Sequence, residues 1–254
     1  MQTITLNGFR LAYTRRGTGT PLLLIHGYPL DHTIWDEILP LLEKDFDIIL
    51  PDLRGFGKST TIKSQYTIDD LASDFVGLLD HLGIQKAVLA GHSMGGYVAL
   101  ALACQYPDRV SGLALISSQA AADSTDRKEG RYKTAADVDQ QGVGIVADAM
   151  TSKLSVNARV QDFVHGVIEN QHKDAIIGAL KAMAEREDFT ECLSSIKFPV
   201  VLIHGDSDAL IPIDRAREIK IILPTAQLVE LPGIGHMPMM EAQEKMVEAL
   251  KLLK

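Results

Sequence analysis

The chain has 254 residues, of which 46% are hydrophobic and 23% are charged, and its formal net charge is −8. This is the composition of an ordinary globular protein, so it excludes intrinsic disorder and collagen-like repeats. The acidic balance argues against nucleic acid as a partner, and no apolar run reaches the roughly 18 residues of a membrane-spanning helix.

The first predicted element is a β-hairpin. Gln2–Leu6 and Phe9–Thr14 flank Asn7-Gly8, a pair that suits the positive φ angles of a type I′ turn. Short apolar runs then recur along the chain, as is typical of parallel strands that are covered on both faces. These further strands are predicted at Pro21–Ile25, Phe46–Leu50, Lys86–Ala90, Val110–Ser117, Val200–His204 and Gln227–Leu231.

Helix-length amphipathic segments lie between most of these strands. The clearest runs from Ile68 to Leu82, where Thr67 and Asp70 form a capping box at the start and Gly83 ends the helix. Strands that alternate with helices form βαβ units, so we predict an α/β fold with a parallel sheet. The other predicted helices are Thr33–Glu43, Met94–Gln105, Arg215–Leu223 and Met239–Leu252.

One long segment, from about Gln119 to Ile196, contains no strand pattern. Helical periodicity appears at 160–168 and 176–183, after a polar lead-in at 122–141. Because the segment lies between two predicted strands, we interpret it as a helical cap or lid over one end of the sheet. The predicted division is therefore a core domain, residues 1–118 and 197–254, with a cap insertion, residues 119–196.

The strongest local motif is Gly91-His-Ser93-Met-Gly95, which lies between a predicted strand and a predicted helix. A G-x-S-x-G motif in this context is typical of a nucleophile elbow, a tight turn that projects a serine hydroxyl. Gly91 and Gly95 would leave room for the turn, because glycine has no side chain. We predict Ser93 as a nucleophile, and the alternative is an ordinary serine in a glycine-rich turn.

A serine nucleophile needs a general base, and the base needs an orienting acid. Asp206 and Asp208 follow one predicted strand, and His236 follows the next. Both loops lie at strand carboxyl ends, where open α/β sheets bind their ligands. We favour Asp208 as the acid, with Asp206 as the alternative, and His236 as the base. The competing interpretations are a turn-forming aspartate and a solvent-exposed loop histidine.

A tetrahedral intermediate also needs hydrogen-bond donors for its oxyanion. The backbone N–H of Met94 is one candidate. The second candidate is the N–H of Tyr28, in the loop that follows the strand ending at Ile25. The alternative for Tyr28 is a simple turn at a strand exit.

Together these motifs resemble the α/β-hydrolase fold superfamily. The resemblance implies a mostly parallel sheet of about eight strands, helices on both faces and a helical lid insertion. It implies a triad of Ser93, Asp208 and His236, oxyanion donors at Tyr28 and Met94, and no cofactor. The chain is similar to small bacterial carboxylesterases and 3-oxoadipate enol-lactonases. The motifs are His26-Gly-Tyr-Pro29, Asp52-Leu-Arg-Gly-Phe-Gly-Lys-Ser59, Gly91-His-Ser-Met-Gly-Gly96, Gly205-Asp-Ser-Asp208 and Gly235-His236.

The predicted function is a serine esterase that cleaves small carboxylic esters through an acyl-enzyme, with a small-molecule ester as its partner. Alternatives that use the same triad are a lactonase and a C–C bond hydrolase. A perhydrolase and a non-catalytic ligand-binding protein are less favoured. Gly57-Lys58-Ser59 resembles the end of a P-loop, but Asp52 occupies the position of its first glycine. Metal-binding motifs such as H-E-x-x-H are missing from the sequence, so we expect no metal.

The remaining histidines, methionines and cysteines receive structural interpretations. We expect His26, His92 and His204 to pack or to form hydrogen bonds near the site. Cys104 is interpreted as a core residue and Cys192 as an exposed thiol. Free thiols and the lack of a recognisable signal peptide predict a reducing, cytoplasmic compartment. Three methionines could line an acyl pocket or fill the core: Met237, Met239 and Met240.

Overall fold

The computed structural model describes residues 1–6, 8–61 and 65–254. The strands are β1 (Gln2–Leu6), β2 (Phe9–Gly17), β3 (Thr20–Ile25), β4 (Phe46–Pro51), β5 (Ala87–His92), β6 (Val110–Ile116), β7 (Val200–Gly205) and β8 (Gln227–Leu231). They form one eight-stranded sheet in the order β1-β2-β4-β3-β5-β6-β7-β8. The pairs β1–β2 and β2–β4 are antiparallel, and all later pairs are parallel. The predicted α/β fold with a mostly parallel sheet is confirmed.

The predicted N-terminal hairpin is present. Leu6 pairs with Phe9 across a two-residue loop, and Gly8 has a φ of +85°. Asn7, the other half of the predicted type I′ turn, lies outside the described residues, so the turn type stays a prediction.

The helices are α1 (Leu39–Leu42), α2 (Ile68–His81), α3 (Met94–Gln105), α4 (Thr125–Gln141), α5 (Gly144–Leu154), α6 (Ala158–Glu169), α7 (Lys173–Ala184), α8 (Thr190–Leu193), α9 (Asp214–Ile222), α10 (Pro238–Glu241) and α11 (Gln243–Lys251). The capping box of α2 is confirmed, because Thr67 and Asp70 each accept the other's backbone N–H. Gly83 follows the helix with a φ of +68°. None of these helices combines the length and hydrophobicity that crossing a bilayer requires.

Two predicted helices are divided. The segment predicted as Thr33–Glu43 forms a 3₁₀ turn (His32–Trp35), capped by Asp31, and then the short α1. Pro40 lies in the first turn of α1, and a proline cannot continue a preceding helix because it lacks the N–H donor. The segment predicted as Met239–Leu252 forms α10 and α11, and the chain turns between them at Ala242, where φ is −146°.

The segment between β6 and β7 holds five helices, α4 to α8, and no strand in its described residues. Within it, α4 packs against α7 and α5 packs against α6. Most of the polar lead-in at 122–141 forms α4, a helix that the sequence pattern did not predict. This helix buries only Ala135 and Val138, so it shows no apolar stripe from which a helix could be recognised.

The two cysteines form a disulfide, which contradicts the prediction of two free thiols. Cys104 of α3 and Cys192 of α8 have Cα atoms 6.0 Å apart, within the range that a disulfide spans. The two cysteines are 88 residues apart along the chain. They meet because the helical segment between β6 and β7 returns to α3 before β7 begins. The free-thiol argument for a reducing compartment therefore fails.

The centre of the sheet carries the core and positions the site. Every residue of β5 and β7 is buried, as expected for parallel strands covered on both faces. Because β5, β7 and β8 run parallel, their carboxyl ends meet at one edge of the sheet. The loops that carry Ser93, Asp208 and His236 all leave from that edge.

Candidate active site

Ser93 lies in a strained turn between β5 and α3. Its φ of +52° and ψ of −116° fall outside the regions that side-chain-bearing residues usually adopt. Backbone hydrogen bonds hold it there: its N–H donates to Ile116 O at 2.9 Å, and Ser118 Oγ donates to its carbonyl at 2.9 Å. The side chain is half-buried and lines a cavity. This backbone is the one that the elbow motif predicts.

The turn around Ser93 leaves no room for a side chain at either flanking glycine. A Cβ atom on Gly91 would lie 2.2 Å from the carbonyl oxygen of Gly95, and one on Gly95 would lie 2.3 Å from Ile25 O. Both distances are far below van der Waals contact, and both neighbours are backbone atoms that cannot move aside. The predicted steric role of the two glycines is confirmed.

The structure brings Asp208 and His236 together. His236 Nδ1 lies 2.7 Å from Asp208 Oδ2, and the residues are 1% and 8% exposed. The other carboxylate oxygen accepts the N–H groups of Leu210 at 2.8 Å and Ile211 at 3.0 Å. The alternative acid, Asp206, is exposed and bonds to other partners.

Asp206 has a different task in the same turn. Its Oδ1 accepts the N–H of Gly233 at 2.7 Å and the hydroxyl of Ser207 at 3.0 Å. It therefore ties the loop after β7 to the loop after β8, at whose end His236 lies.

Electrostatics keep Asp208 ionised. Burial by itself raises the pKa of this carboxyl, but the charge of His236 and hydrogen bonds from His204, His236 and the Ile211 N–H outweigh burial, so the pKa lies well below its usual range. An ionised carboxylate at Nδ1 fixes the proton on that nitrogen. His236 Nε2 is thereby left as the acceptor, which is the tautomer that a general base needs.

Three further buried histidines are hydrogen-bonded, as predicted, and two of them, His92 and His204, contact this pair. His92 Nε2 donates to the carbonyl of His236 at 2.8 Å, and the two rings are 4.8 Å apart between centroids. Burial lowers the pKa of His92 well below its usual value, so its ring stays neutral. His204 Nε2 donates to Ile211 O at 2.8 Å, and His26 Nε2 accepts the Leu53 N–H at 2.9 Å.

The Ser93 hydroxyl and His236 Nε2 are not hydrogen-bonded to each other in the described part of the chain. His92, which directly precedes Ser93 in sequence, contacts His236 in space. Bonds of this kind are often long in free enzymes and shorten when substrate binds.

The loop that carries His236 is anchored by residues that sequence reasoning missed. Glu241 Oε2 accepts the N–H of Gly235 at 3.0 Å, and Glu241 Oε1 accepts the hydroxyl of Ser155. The N–H of His236 donates to Leu154 O at 3.1 Å. Nothing in the local sequence distinguishes Glu241 from a surface acid of a helix, so no signal could have identified this role.

The two predicted oxyanion donors lie beside Ser93. Met94 is the first residue of α3, so its N–H has no partner within the helix. A Cβ atom on Gly27 would lie 3.0 Å from Ser93 Cβ, which shows that the backbone entering Tyr28 passes close to the nucleophile. Tyr28 itself lines the cavity together with Ser93.

The cavity beside Ser93 has a volume of about 640 Å³. Apolar residues of α5 and α7 form one wall, together with Leu210 and Ile211 from the loop after β7. The face of α4 forms a polar wall that includes two arginines. Met237, Met239 and Met240 are buried in the core, the second of their two predicted places, whereas Met150 and Met183 line the cavity.

One group of possible metal ligands occurs in the described residues, namely Asp31, His32 and Asp52. Its ligand atoms already bond to protein partners. Asp52 Oδ1 lies 2.7 Å from His32 Nδ1, Asp52 Oδ2 accepts the Lys58 N–H at 2.8 Å, and Asp31 caps the 3₁₀ turn. Hydrogen bonds between the 3₁₀ turn and the Asp52–Ser59 segment, and within each of them, therefore account for this group.

Comparison with known proteins places these features in a family. The family model described as alpha/beta hydrolase fold matches residues 20–243. The chain is 33% identical over 245 residues to the dihydrolipoyllysine-residue acetyltransferase component of the acetoin cleaving system from Pseudomonas putida; the match covers 89% of this chain but spans only 61% of that relative's length.

Two solved structures superpose over nearly the whole chain. A thermophilic esterase from Thermogutta terrifontis, in its malate-bound form, has a TM-score of 0.95 at 36% identity, covering 99% of this chain and 97% of that one. The enol-lactonase from Burkholderia xenovorans LB400 has a TM-score of 0.92 at 26% identity, covering 99% of both chains. The chain thus belongs to the alpha/beta hydrolase fold family, as a hydrolase of its small bacterial esterase-like branch.

Proposed function

We propose that the chain is a serine esterase that hydrolyses small carboxylic esters with Ser93, His236 and Asp208. The observation that carries this proposal is the buried Asp208–His236 pair, 2.7 Å apart, on loops beside a serine held at a φ of +52°. The similarity to a thermophilic esterase at 36% identity supports the same chemistry.

In the first half of the reaction, His236 Nε2 takes the proton of Ser93 as Oγ attacks the ester carbonyl. The tetrahedral oxyanion is stabilised by the N–H groups of Tyr28 and Met94, and such donors typically contribute about 2.7–4 kcal/mol each. Asp208 keeps the imidazole oriented and stabilises its positive charge. His236 then returns the proton to the leaving alcohol, and the acyl group remains on Ser93.

In the second half, water takes the place of the alcohol. His236 removes a proton from the water, which attacks the acyl carbonyl, and the same imidazole returns the proton to Ser93 as the acid leaves. The cycle restores the enzyme and needs no cofactor.

We also propose that residues 119–196 act as a cap over the core domain, residues 1–118 and 197–254. Helices α4, α5 and α7 of this segment line the cavity together with Tyr28 and Ser93 of the core. A cap in this place would exclude water from the acyl pocket, which strengthens hydrogen bonds to the oxyanion.

Lactone hydrolysis is a second candidate for the same triad, and the similarity to the enol-lactonase is what favours it. A lactone is an internal ester, so the chemical steps are the same for both candidates. The shape of the pocket then decides whether an open-chain ester or a lactone is the better substrate. Parallel assays with p-nitrophenyl acetate, p-nitrophenyl butyrate and a five-membered lactone separate the two candidates by their kcat/KM values.

The test of the proposal is the Ser93→Ala variant. We expect kcat for p-nitrophenyl butyrate to fall by about 10⁴- to 10⁶-fold, with an unchanged circular dichroism spectrum. Ser194→Ala is a matched control, because it alters an exposed serine at the end of α8 whose hydroxyl bonds to the Glu191 carbonyl and which is not among the described residues that line the cavity. Ester hydrolysis that persists in Ser93→Ala, after repeated purification, would contradict the proposed nucleophile.

A further inference from the structure

The cavity beside Ser93 is positively charged on one side, although the chain as a whole is acidic. Arg127 and Arg131 reach it from α4, and Lys153 reaches it from α5. Asp137 is the single acid among the described lining residues, and Lys133 already pairs with its carboxylate at 2.7 Å. The uncompensated charge on this wall is therefore positive.

The buried carboxylate of Asp123 does not neutralise the arginines. It lies 2.8 Å from Arg186 Nη1 and 3.5 Å from Arg127 Nε, and it also pairs with Arg131 Nε. Burial raises the pKa of Asp123, but Arg131 and Arg186 outweigh burial and keep the carboxyl ionised. One negative charge shared by three guanidinium groups leaves an excess of positive charge next to the cavity.

The Arg131 guanidinium has N–H donors that lack a strong hydrogen-bond acceptor. Beyond its Nε contact with Asp123, its Nη1 donates to the thioether of Met183 at 3.3 Å, and sulfur is a weak acceptor. The side chain is only 13% exposed, so bulk water is a limited alternative. A partly buried guanidinium with a weak partner is well suited to bind a carboxylate, whose two oxygens match its paired N–H groups.

A second, independent observation points to a ligand at the same place. The hydroxyl of Tyr28 is buried and has no hydrogen-bond partner among the described residues, although Tyr28 lines the cavity with Arg131. Buried hydroxyl groups are almost always paired. Burial raises the pKa of Tyr28, so the hydroxyl keeps its proton and can donate it to an acceptor that enters the cavity.

We propose that the pocket selects esters whose acyl group carries an ionised carboxylate, bound by the Arg131 guanidinium and the Tyr28 hydroxyl. Arg127 and Lys153 add positive potential at the rim. The bound carboxylate takes no part in the reaction and stays ionised throughout. This inference rests on the proposed esterase function and names the substrate class that the same site accepts.

The experiment compares two substrates that differ in the charge of the distal group, the mono-p-nitrophenyl ester of glutaric acid and its methyl ester at the second carboxyl. The uncatalysed rate of each is subtracted, because the free carboxylate of the first accelerates its own hydrolysis through the cyclic anhydride. We expect the native protein to prefer the acid, with a ratio of kcat/KM values above about 10. In Arg131→Gln this ratio should fall by about 10- to 100-fold, the loss typical of a hydrogen bond to a charged group. A native ratio at or below one, or an unchanged ratio in Arg131→Gln, would overturn the proposal.

Two more variants keep the test decisive if Arg131→Gln fails to fold without its Asp123 contact. Tyr28→Phe removes a hydroxyl that has no hydrogen-bond partner in the described parts of the chain and keeps the backbone N–H, so it should fold normally and lower the ratio by about 2- to 10-fold. Arg217→Gln, which alters an exposed arginine of α9 paired with Glu230 of β8, should leave the ratio unchanged. A Tyr28→Phe variant with the native ratio contradicts the assigned role of the hydroxyl.

A binding measurement separates failure of this inference from failure of the esterase function. Glutarate should raise the melting temperature of Ser93→Ala, which cannot turn over, and should not raise that of Ser93→Ala/Arg131→Gln. If glutarate stabilises Ser93→Ala but the native protein hydrolyses no ester, the esterase proposal alone is contradicted. Hydrolysis in the native protein without any stabilisation by glutarate would contradict the carboxylate subsite alone.

Discussion

Breaking the Cys104–Cys192 disulfide should lower stability by an amount that follows from the length of the loop it closes. The bond joins residues 88 positions apart. In the chain-entropy model, a loop of that length restricts the unfolded chain by about 4.6 kcal/mol. This is an upper value, because residual structure in the unfolded chain reduces it.

That free energy converts into a shift of melting temperature. An unfolding entropy of about 2.1 cal/mol/K per residue, over a chain of 254 residues, gives about 0.5 kcal/mol/K. The Cys104→Ala/Cys192→Ala variant should therefore melt up to about 9 °C below the native protein. Activity at 25 °C should persist, because neither cysteine is among the described residues that line the cavity.

The assay is thermal unfolding followed by circular dichroism, with and without dithiothreitol. Reductant should lower the melting temperature of the native protein to that of the double variant, and it should not change the double variant. A thiol titration of the unreduced, denatured native protein should find no free thiol. Two titratable thiols, or equal melting temperatures for both proteins, would refute the reasoning.

Three further predictions concern pH, the triad and the elbow. Burial lowers the folded-state pKa of His26 and His92 below 6.5, so the unfolded chain binds more protons under acid conditions. The free energy of unfolding should therefore fall below pH 6.5, by up to about 1.4 kcal/mol per pH unit for each histidine, and equal values from urea unfolding at pH 7.0 and pH 5.5 would contradict this. Asp208→Asn should keep the fold and lower kcat for p-nitrophenyl butyrate by about 10⁴-fold, since the amide favours the wrong imidazole tautomer, and a loss under tenfold would contradict its role. Gly95→Ala should destabilise the protein by about 1–3 kcal/mol in urea unfolding, because its methyl group would lie 2.3 Å from Ile25 O, and a neutral effect would show that the turn can relax.

Much of the fold could be predicted because its signals are local. The bounds of β8 and α3 agree with the sequence prediction at both ends, since a short apolar run and a glycine-rich turn mark them clearly. Helix α4 was missed for a physical reason. Periodicity reports burial against an apolar core, whereas one face of α4 forms the polar wall of the cavity and its other residues are largely exposed.

Long-range contacts account for the rest. The disulfide joins residues 88 positions apart, and nothing near Cys104 or Cys192 indicates a partner. Asp206 and Asp208 share one turn, so the sequence could not decide between them as partner of His236. The structure distinguishes their positions because Asp206 bonds to Gly233, from the neighbouring loop, while Asp208 faces His236.

Labelling with a fluorophosphonate probe, followed by peptide mass spectrometry, examines the central claim most directly. Only an activated serine reacts rapidly with such a probe, so activation by the His236–Asp208 pair should direct it to a single residue. The account predicts one adduct, on the peptide that contains Ser93, and a greatly slowed reaction in His236→Ala. An adduct on another serine, or equally fast labelling of Ser93 in His236→Ala, would contradict it.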